Sequence, residues 1–287
     1  MSLHPVFARP TSLGQASELL AGLSAGGVLI AGGQEIMPHV NHGVLQPSVF
    51  VDIGSLQELR GIRFDDGIVR IGALTVHREL QTDPVVAEHV PLLAHAANKA
   101  GGGRQVHNRG TIGGNIVAMH PLYDLAPSLL ALEAEVEVLR EDKSRCIAFA
   151  DLLRDTSLGL GSEAILVRIS VRAIPPGVGW AYEKLKLSGG AYGSANAVAL
   201  VGVSGGRLSS LRIVVGAVAD WLVDASEALS GLVGQAPSER LADEIEARVP
   251  TLVGEPLDDH QGPGEWRRAM AGVVARRAFL AAMYRAG

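Results

Sequence analysis

The sequence predicts an α+β protein of more than one domain, on three observations. Helix and strand patterns alternate from the start to about residue 172, "AIPPGVG" then interrupts all periodicity, and the strand-like runs beyond it give way to helical ones. With 287 residues, 47% of them hydrophobic and 19% charged, the chain can bury a sizeable core and is long for one ordinary domain.

Taken in order, "TSLGQASELLAGL" sets Leu13, Ala16, Leu19, Leu20 and Leu23 at helical spacing behind a Thr11/Ser12 cap, and "GGVLIAGG" reads as a short buried strand ending in glycines. "SVFVDIG" is a second strand, "GIRFDDGIVRIGA" a hairpin turning at Asp66-Gly67, and "PVVAEHVPLLAHAANKA" one helix. "EAILVRISVRAIPPGVG" is a strand ending in a Pro-Pro-Gly break, the best boundary candidate, because proline stops strand pairing. From about Gly177, "WAYEKLKL", "SANAVALVGV" and "LSSLRIVVGAV" read as a three-stranded antiparallel sheet. Helical stretches within Ala225–Leu229, Glu239–Arg248 and Glu265–Tyr284 cover it.

Composition excludes several function classes. A net charge of -5 supplies no basic field for a nucleic-acid backbone or an anionic membrane surface. The start, "MSLHPVFARPTS", lacks the order of a secretory signal, and no apolar run reaches bilayer length, so a soluble cytoplasmic protein without a membrane span is expected. Cys146 is the only cysteine, which rules out an internal disulfide and any iron–sulfur cluster or four-cysteine zinc site held by this chain alone. The nine histidines are scattered, only His39 and His42 could share a helical face, and no metal site is expected; surface or satisfied histidines are the reading.

Two literal motif matches fail on context. "GVSGG", Gly202 to Gly206, fits a nucleophile elbow, but a strand follows where that elbow needs a helix, so a hairpin turn is expected and Ser204 is no nucleophile. "GLGSEA", Gly159 to Ala164, imitates a dinucleotide fingerprint, yet it precedes a strand and is read as a loop.

The thirty-five glycines carry more information. In "VLIAGGQEIMPHV" a strand delivers the chain to Gly32-Gly33 and "QEIMPHV" begins a helix, so several amides would point outward from one turn as a phosphate cradle. The alternative is a tight strand–helix turn whose glycines serve geometry alone, and for this loop in isolation both readings stand. "TIGGN" is a second such turn, in which Gly113 and Gly114 would let the backbone approach a ring or a phosphate and Asn115 offers donor and acceptor. Asp124 could accept from a hydroxyl, although taken alone it reads as the cap of the helix "LAPSLLALEA". Together the turns suit one long cofactor, flat at one end and polar elsewhere.

These residues resemble the FAD-binding medium subunit of the molybdenum hydroxylases, the family of xanthine dehydrogenase and carbon monoxide dehydrogenase. The likeness spans nearly the whole chain, in "IAGGQEIMP", "QVHNRGTIGGNIVAMHPLYDLAPSLLALEAEV" and "GVGWAYEKLKLSGGAYGSANAVALVGV". It implies a two-subdomain FAD-binding domain of the p-cresol methylhydroxylase type over residues 1–176, divided near residue 55, and a small C-terminal domain over 177–287. It implies FAD contacts from Leu29, Ile30, Ala31, Gly32, Gly33, Gln34, Glu35 and Ile36, then from Thr111, Ile112, Gly113, Gly114, Asn115 and Asp124, with Lys184 and Ile165 as further positions. Ile112 and Tyr192 would lie by the flavin ring and govern access to it. No residue is nominated as acid, base or nucleophile, because the flavin carries the chemistry.

The resemblance also implies a large molybdenum-cofactor subunit and a small subunit with [2Fe-2S] clusters, as a dimer of heterotrimers, with electrons passing through FAD to an external acceptor. A self-contained FAD oxidase and an assembly subunit with a decayed flavin site remain the alternatives. Two departures from the family pattern stand out: Leu187-Ser188 and Gly190-Ala191 replace charged residues before Tyr192, and Gly101 to Gly103 replace an apolar and Asp-Pro stretch. FAD binding is expected to survive the Gly101 to Gly103 change, and the first departure bears on how the loop is anchored and where Tyr192 sits.

Overall fold

The computed structural model describes residues 5–23, 26–155 and 163–286. β1 (Val6–Ala8) leads to α1 (Leu13–Gly22), capped by Ser12, whose hydroxyl accepts from the Gln15 amide at 3.2 Å. β2 (Gly27–Ile30), α2 (Ile36–Asn41) and β3 (Val49–Asp52) follow, and the three strands make a parallel sheet in the order β1-β3-β2. β4 (Ile62–Asp65) and β5 (Ile68–Gly72) are the expected hairpin, turning on Asp66 and Gly67 at φ 50° and 75°.

A run of helices comes next: α3 (His77–Thr82), α4 (Pro84–His89), α5 (Pro91–Lys99), α6 (Gly103–Arg109), α7 (Ile112–Val117) and α8 (Leu125–Ala131). The single helix expected over "PVVAEHVPLLAHAANKA" is therefore two. Pro91 has no amide to continue the ladder and sits instead at the first turn of α5, with Val90 outside helical backbone at φ -140°. β6 (Glu135–Arg140), β7 (Lys143–Ala148), α9 (Phe149–Arg154) and β8 (Ala164–Arg172) complete a five-stranded antiparallel sheet, ordered β4-β5-β8-β6-β7. Of the "GLGSEA" loop, Gly159 to Ser162 lie outside the described residues, and Ala164 already begins β8.

β9 (Val178–Leu185), β10 (Ala195–Ser204) and β11 (Arg207–Gly216) are the three expected strands, and a two-residue β12 (Val223–Asp224) adds a fourth beside Val214 and Val215. Ser204 ends β10, and Gly205-Gly206 turn the chain straight into β11, the hairpin that excludes a nucleophile elbow. Ala225–Leu229 is not helical. It forms turns ahead of a single 3₁₀ turn at Ser230–Leu232, where the Asp224 carboxylate binds the Ser226 amide and draws the backbone into an Asx turn. α10 (Glu239–Arg248) and α11 (Gly264–Ala286) close the chain. Among the described residues no helix is long and apolar enough to cross a membrane.

The chain divides into two compact units, and neither is one run of sequence. The first takes in the chain up to Glu88, then Arg104–Met119 and Glu133–Arg172; the second takes in His89–Gly103, His120–Leu132 and the chain from Ala173 onward. α5 and α8, which precede the Pro-Pro-Gly break, thus pack with the C-terminal strands. The first unit has a core in which Ala16 and Leu20 of α1 meet Val51 of β3 and Ile165 of β8. In the second, alternate residues of β10 and β11, such as Ala197, Ala199, Ile213 and Val215, bury against Ala275, Ala278 and Phe279 of α11.

α11 lies so close to β9 that a β-carbon on Gly179 would stand 1.8 Å from the Ala282 carbonyl oxygen. Backbone cannot yield as a side chain can, so Gly179→Ala is expected to destabilise the protein by about 3 kcal/mol through overpacking. A shift of the urea unfolding midpoint against wild type measures it, and an unchanged midpoint contradicts this account of the β9–α11 contact.

Candidate functional site

In the first unit, β2 ends at Ile30 and α2 begins at Ile36, so Ala31 to Glu35 form the expected strand–turn–helix connection. Gly32 is glycine for reasons of proximity: a β-carbon there would come 1.9 Å from the Arg109 carbonyl oxygen. Gly33 has φ 73°, which aims the turn back toward α2. Carbonyls of the turn are occupied, since Gly33 accepts from the Met37 amide at 3.1 Å and Gly32 from Arg109 Nε at 3.4 Å. Among the described residues, the amides of Gly32, Gly33 and Gln34 donate no hydrogen bond. Three unspent donors on one turn are the makings of an anion cradle.

The contact of Gly32 with Arg109 brings the second glycine block beside the first. "TIGGN" is not a bare loop but the cap and first turn of α7, where Thr111 Oγ1 accepts from the Gly114 amide at 3.0 Å. The Ile112 and Gly113 amides are bonded to the carbonyls of Thr75 and Ala73, each at 2.9 Å. A β-carbon on Gly113 would meet Ala73 at 2.8 Å. This glycine therefore seats α7 on the chain after β5 and does not present bare backbone to a ligand. Ile112 is fully buried, which leaves the expectation of governing a ring's access with Tyr192 alone. Ile165 is likewise a core side chain, 1% exposed. Asn115 differs: its Oδ1 is buried and has no hydrogen-bond partner.

In the second unit, Asp124 occupies the cap position of α8 but makes no capping bond. Its carboxylate turns instead to β9, where Tyr182 donates its hydroxyl to Oδ1 and Lys184 Nζ donates to Oδ2 at 2.9 Å. Lys184 also donates to the Lys99 carbonyl at 3.0 Å, at the end of α5. Both charged side chains are 2% exposed. Burial pushes the Asp124 carboxyl above its usual range against the pull of Lys184, and burial beside Asp124 pushes the Tyr182 phenol far up, so Tyr182 stays a donor.

Tyr192 is 40% exposed and stacks on His120, ring centres 5.4 Å apart, while His120 stacks on Tyr123 at 4.7 Å. The two departures from the family pattern touch one another here. The Gly102 amide donates to the Gly190 carbonyl at 3.3 Å, and a β-carbon on Gly101 would come 3.2 Å from that same oxygen.

Residues 2–173 match the family described as the FAD binding domain in molybdopterin dehydrogenase, and residues 180–282 match the carbon monoxide dehydrogenase flavoprotein C-terminal domain. This chain belongs to the FAD-binding medium-subunit family of the molybdenum hydroxylases. It is 36% identical over 277 residues to the carbon monoxide dehydrogenase medium chain of Hydrogenophaga pseudoflava, covering 96% of each chain. To the medium chain of the Afipia carboxidovorans enzyme it is 32% identical, covering 97% of this chain and 96% of that one. A solved structure of carbon monoxide dehydrogenase from Hydrogenophaga pseudoflava, lacking the Mo-pyranopterin moiety, superimposes with a TM-score of 0.90 at 34% identity, covering 99% of each chain. Membership makes the protein a flavoprotein subunit of a molybdenum-dependent oxidoreductase.

Four polar features of this family member were not read from the sequence. Tyr182 stands two residues before Lys184 on β9, and the period-two rule for strands puts both on one face, a signal available in "YEK". The packing of His120 and Tyr123 on Tyr192 had no signal, because it depends on Tyr192 arriving from a distant loop. Arg267 of α11 is wholly buried, bonding the carbonyls of Ser194 and Ala217 and the Asp259 carboxylate. His77 departs from the expectation of surface or satisfied histidines. It is 3% exposed with its Nδ1 unpartnered, and its amide holds the Gly110 carbonyl directly ahead of Thr111.

Burial, aided by nearby His107, lowers the His77 pKa from 6.5 to about 4. The folded state thus refuses a proton that the unfolded chain accepts. Its stability contribution is full above pH 6.5 and falls as pH drops from there toward 4, by up to about 3 kcal/mol. His77→Leu should flatten that part of the pH–stability profile, measured as urea midpoints of both proteins across this window. Parallel profiles would show that His77 keeps an ordinary pKa.

Proposed function

We propose that this chain is the electron-transfer subunit of a cytoplasmic multi-subunit molybdenum hydroxylase. Its partners are a large molybdenum-cofactor subunit and a small [2Fe-2S] subunit, assembled as a dimer of heterotrimers. The observation that carries the reading is the turn at Gly32 to Gln34, with three unspent amides packed against Arg109 beside the TIGGN block. Unspent donors fit a pyrophosphate: each amide to a charged oxygen contributes about 1.5–3 kcal/mol, enough in sum to anchor it without lysine. The unpartnered Asn115 Oδ1 fits a ligand donor such as a hydroxyl or a ring N–H.

We assign FAD contacts to Leu29–Ile36, by backbone more than side chain, and to Thr111, Gly114 and Asn115. Asp124 and Lys184 are assigned as the fixed polar pair, and Tyr192 as the aromatic that meets the ring. When bound, the flavin supplies the exchange between single-electron and two-electron transfer. The chain's own part is positional. Asp124 holds the Lys184 ammonium between its two oxygens, and Tyr182 donates its hydroxyl to one of them, Oδ1. With Cys146 as the sole cysteine, the iron–sulfur centres that feed this subunit belong to other chains.

Asp124→Ala is expected to weaken FAD retention at least about tenfold, because Lys184 is left with only the Lys99 carbonyl. Asp124→Asn keeps the shape and one acceptor and should fall between Ala and wild type. Flavin absorbance per chain after extensive dialysis measures it, with circular dichroism confirming the fold. Unchanged occupancy in both variants overturns the assignment, and substrate turnover by the isolated chain would overturn the subunit reading.

A further inference from the structure

The exposed face of the five-stranded sheet carries an arginine-lined cavity that neither glycine block helps to form. It encloses about 420 Å³ and is walled by Arg60, Arg63, Arg70 and Arg168, together with Gln57, Glu58, Asp65 and two glycines. All of these belong to the first unit. Strand register explains how the cations gather. Arg63 of β4 lies directly opposite Arg70 of β5, and Gly72 of β5 lies opposite Arg168 of β8, so the three side chains rise from one face while Val69 and Ile71 bury on the other.

Like charges directly opposite one another on a sheet are unfavourable, so this arrangement works against folding unless something neutralises it. Neighbouring carboxylates do so only in part. Asp65 pairs with Arg70 at 3.5 Å, Glu137 pairs with Arg168 at 2.8 Å, and Glu58 is turned to the Leu13 amide. Arg60 spends its guanidinium on the Gly54 carbonyl, which leaves its charge in place. The Arg63 side chain makes no ion pair or hydrogen bond among the described residues. Four arginines against the carboxylates of Glu58, Asp65 and Glu137 thus leave one positive charge in excess at this concavity of a protein whose net charge is -5.

We infer that this cavity is a binding site for a small phosphate-type oxyanion, separate from the glycine turns of the same unit. The chemistry of the walls selects the class. Among the described residues that line it none is aromatic or aliphatic, so guanidinium charge and hydrogen bonding are what an occupant meets first. Planar guanidinium forks suit tetrahedral and bidentate oxyanions, and several converging forks favour more than one negative charge. The occupant is orthophosphate itself or a small phosphate monoester, and Arg63, whose guanidinium alone in this lining has no partner among the described residues, is its principal contact.

The test uses the flavin-loaded complex as purified, so that the glycine turns are already occupied. Orthophosphate and glycerol 3-phosphate are titrated separately by isothermal calorimetry at low and at physiological salt. The expectation is saturable binding of one anion per chain, weakened at least about tenfold in the Arg63→Gln/Arg70→Gln variant at unchanged flavin content, and weakened by salt. Asp65→Asn, which removes the opposing carboxylate, should tighten binding. Tighter binding of glycerol 3-phosphate than of orthophosphate assigns the site to an ester, and the reverse order to the free ion. Absence of saturable binding at millimolar anion overturns the inference. So does an unchanged affinity in the double variant, or binding that occurs only in flavin-free protein or only in the isolated chain, the last meaning that a partner's acidic surface fills the cavity.

Discussion

A carboxylate taken out of water must find its counter-charge inside the protein, and the C-terminal unit is arranged around that requirement at Asp124. Three stretches far apart in sequence converge on it. The end of α5 gives the Lys99 carbonyl, the start of α8 gives Asp124, and β9 gives Tyr182 and Lys184. Removing one partner would strand the other, which costs far more than the intact pair contributes. The pairing is thus a weak source of net stability and a strong constraint on where α5, α8 and β9 lie. Arg267 repeats the logic on the same sheet. Its buried guanidinium gathers the Ser194 and Ala217 carbonyls, fixing the chain two residues after Tyr192. Two buried charges, each fully coordinated, frame the loop that carries the exposed aromatic.

The N-terminal unit relies on backbone proximity where the C-terminal unit relies on charge. Gly32 against Arg109 and Gly113 against Ala73 are contacts that any side chain would prevent. They have one consequence in common: the turn after β2 and the first turn of α7 are held side by side. The glycines do not all offer bare backbone to a cofactor. Some are spent inside the protein so that the amides of others remain unspent, as at Gly33. Preorganised donors of this kind need no rearrangement when an anion arrives.

Much of this was legible in the sequence, for reasons that can be named. The hairpins at Asp66-Gly67 and Gly205-Gly206, the strand–turn–helix at residues 30–36 and the capped α1 follow from local rules about positive φ and side-chain caps. Strands β9 to β11 follow from apolar alternation. Local rules also explain the failures. A proline at residue 91 outweighed a continuous helical pattern, and the Asp224 turn outweighed the helical propensity of Ala225–Leu229. The two-residue β12 has too little sequence to carry any pattern. Asp124 illustrates the deeper limit. Its position before α8 is that of a cap, and only the arrival of β9 from elsewhere in the chain turns the carboxylate away.

The loop before Tyr192 shows how family-typical charges can be given up together. The family resemblance implies charged residues where Leu187-Ser188 and Gly190-Ala191 stand, and a proline-containing stretch where Gly101 to Gly103 stand. Read along the sequence these are independent losses. In the fold they meet, with the Gly102 amide donating to the Gly190 carbonyl and a β-carbon at Gly101 in tight contact with the same oxygen. Lys186 reaches forward to the Gly189 carbonyl at 2.9 Å, closing the loop on itself. Tyr192 is then secured by His120 and Tyr123, a stack of the kind that contributes about 0.5–1.5 kcal/mol per pair. Such contacts are insensitive to salt, so the placement of Tyr192 here depends on packing and not on ionic conditions.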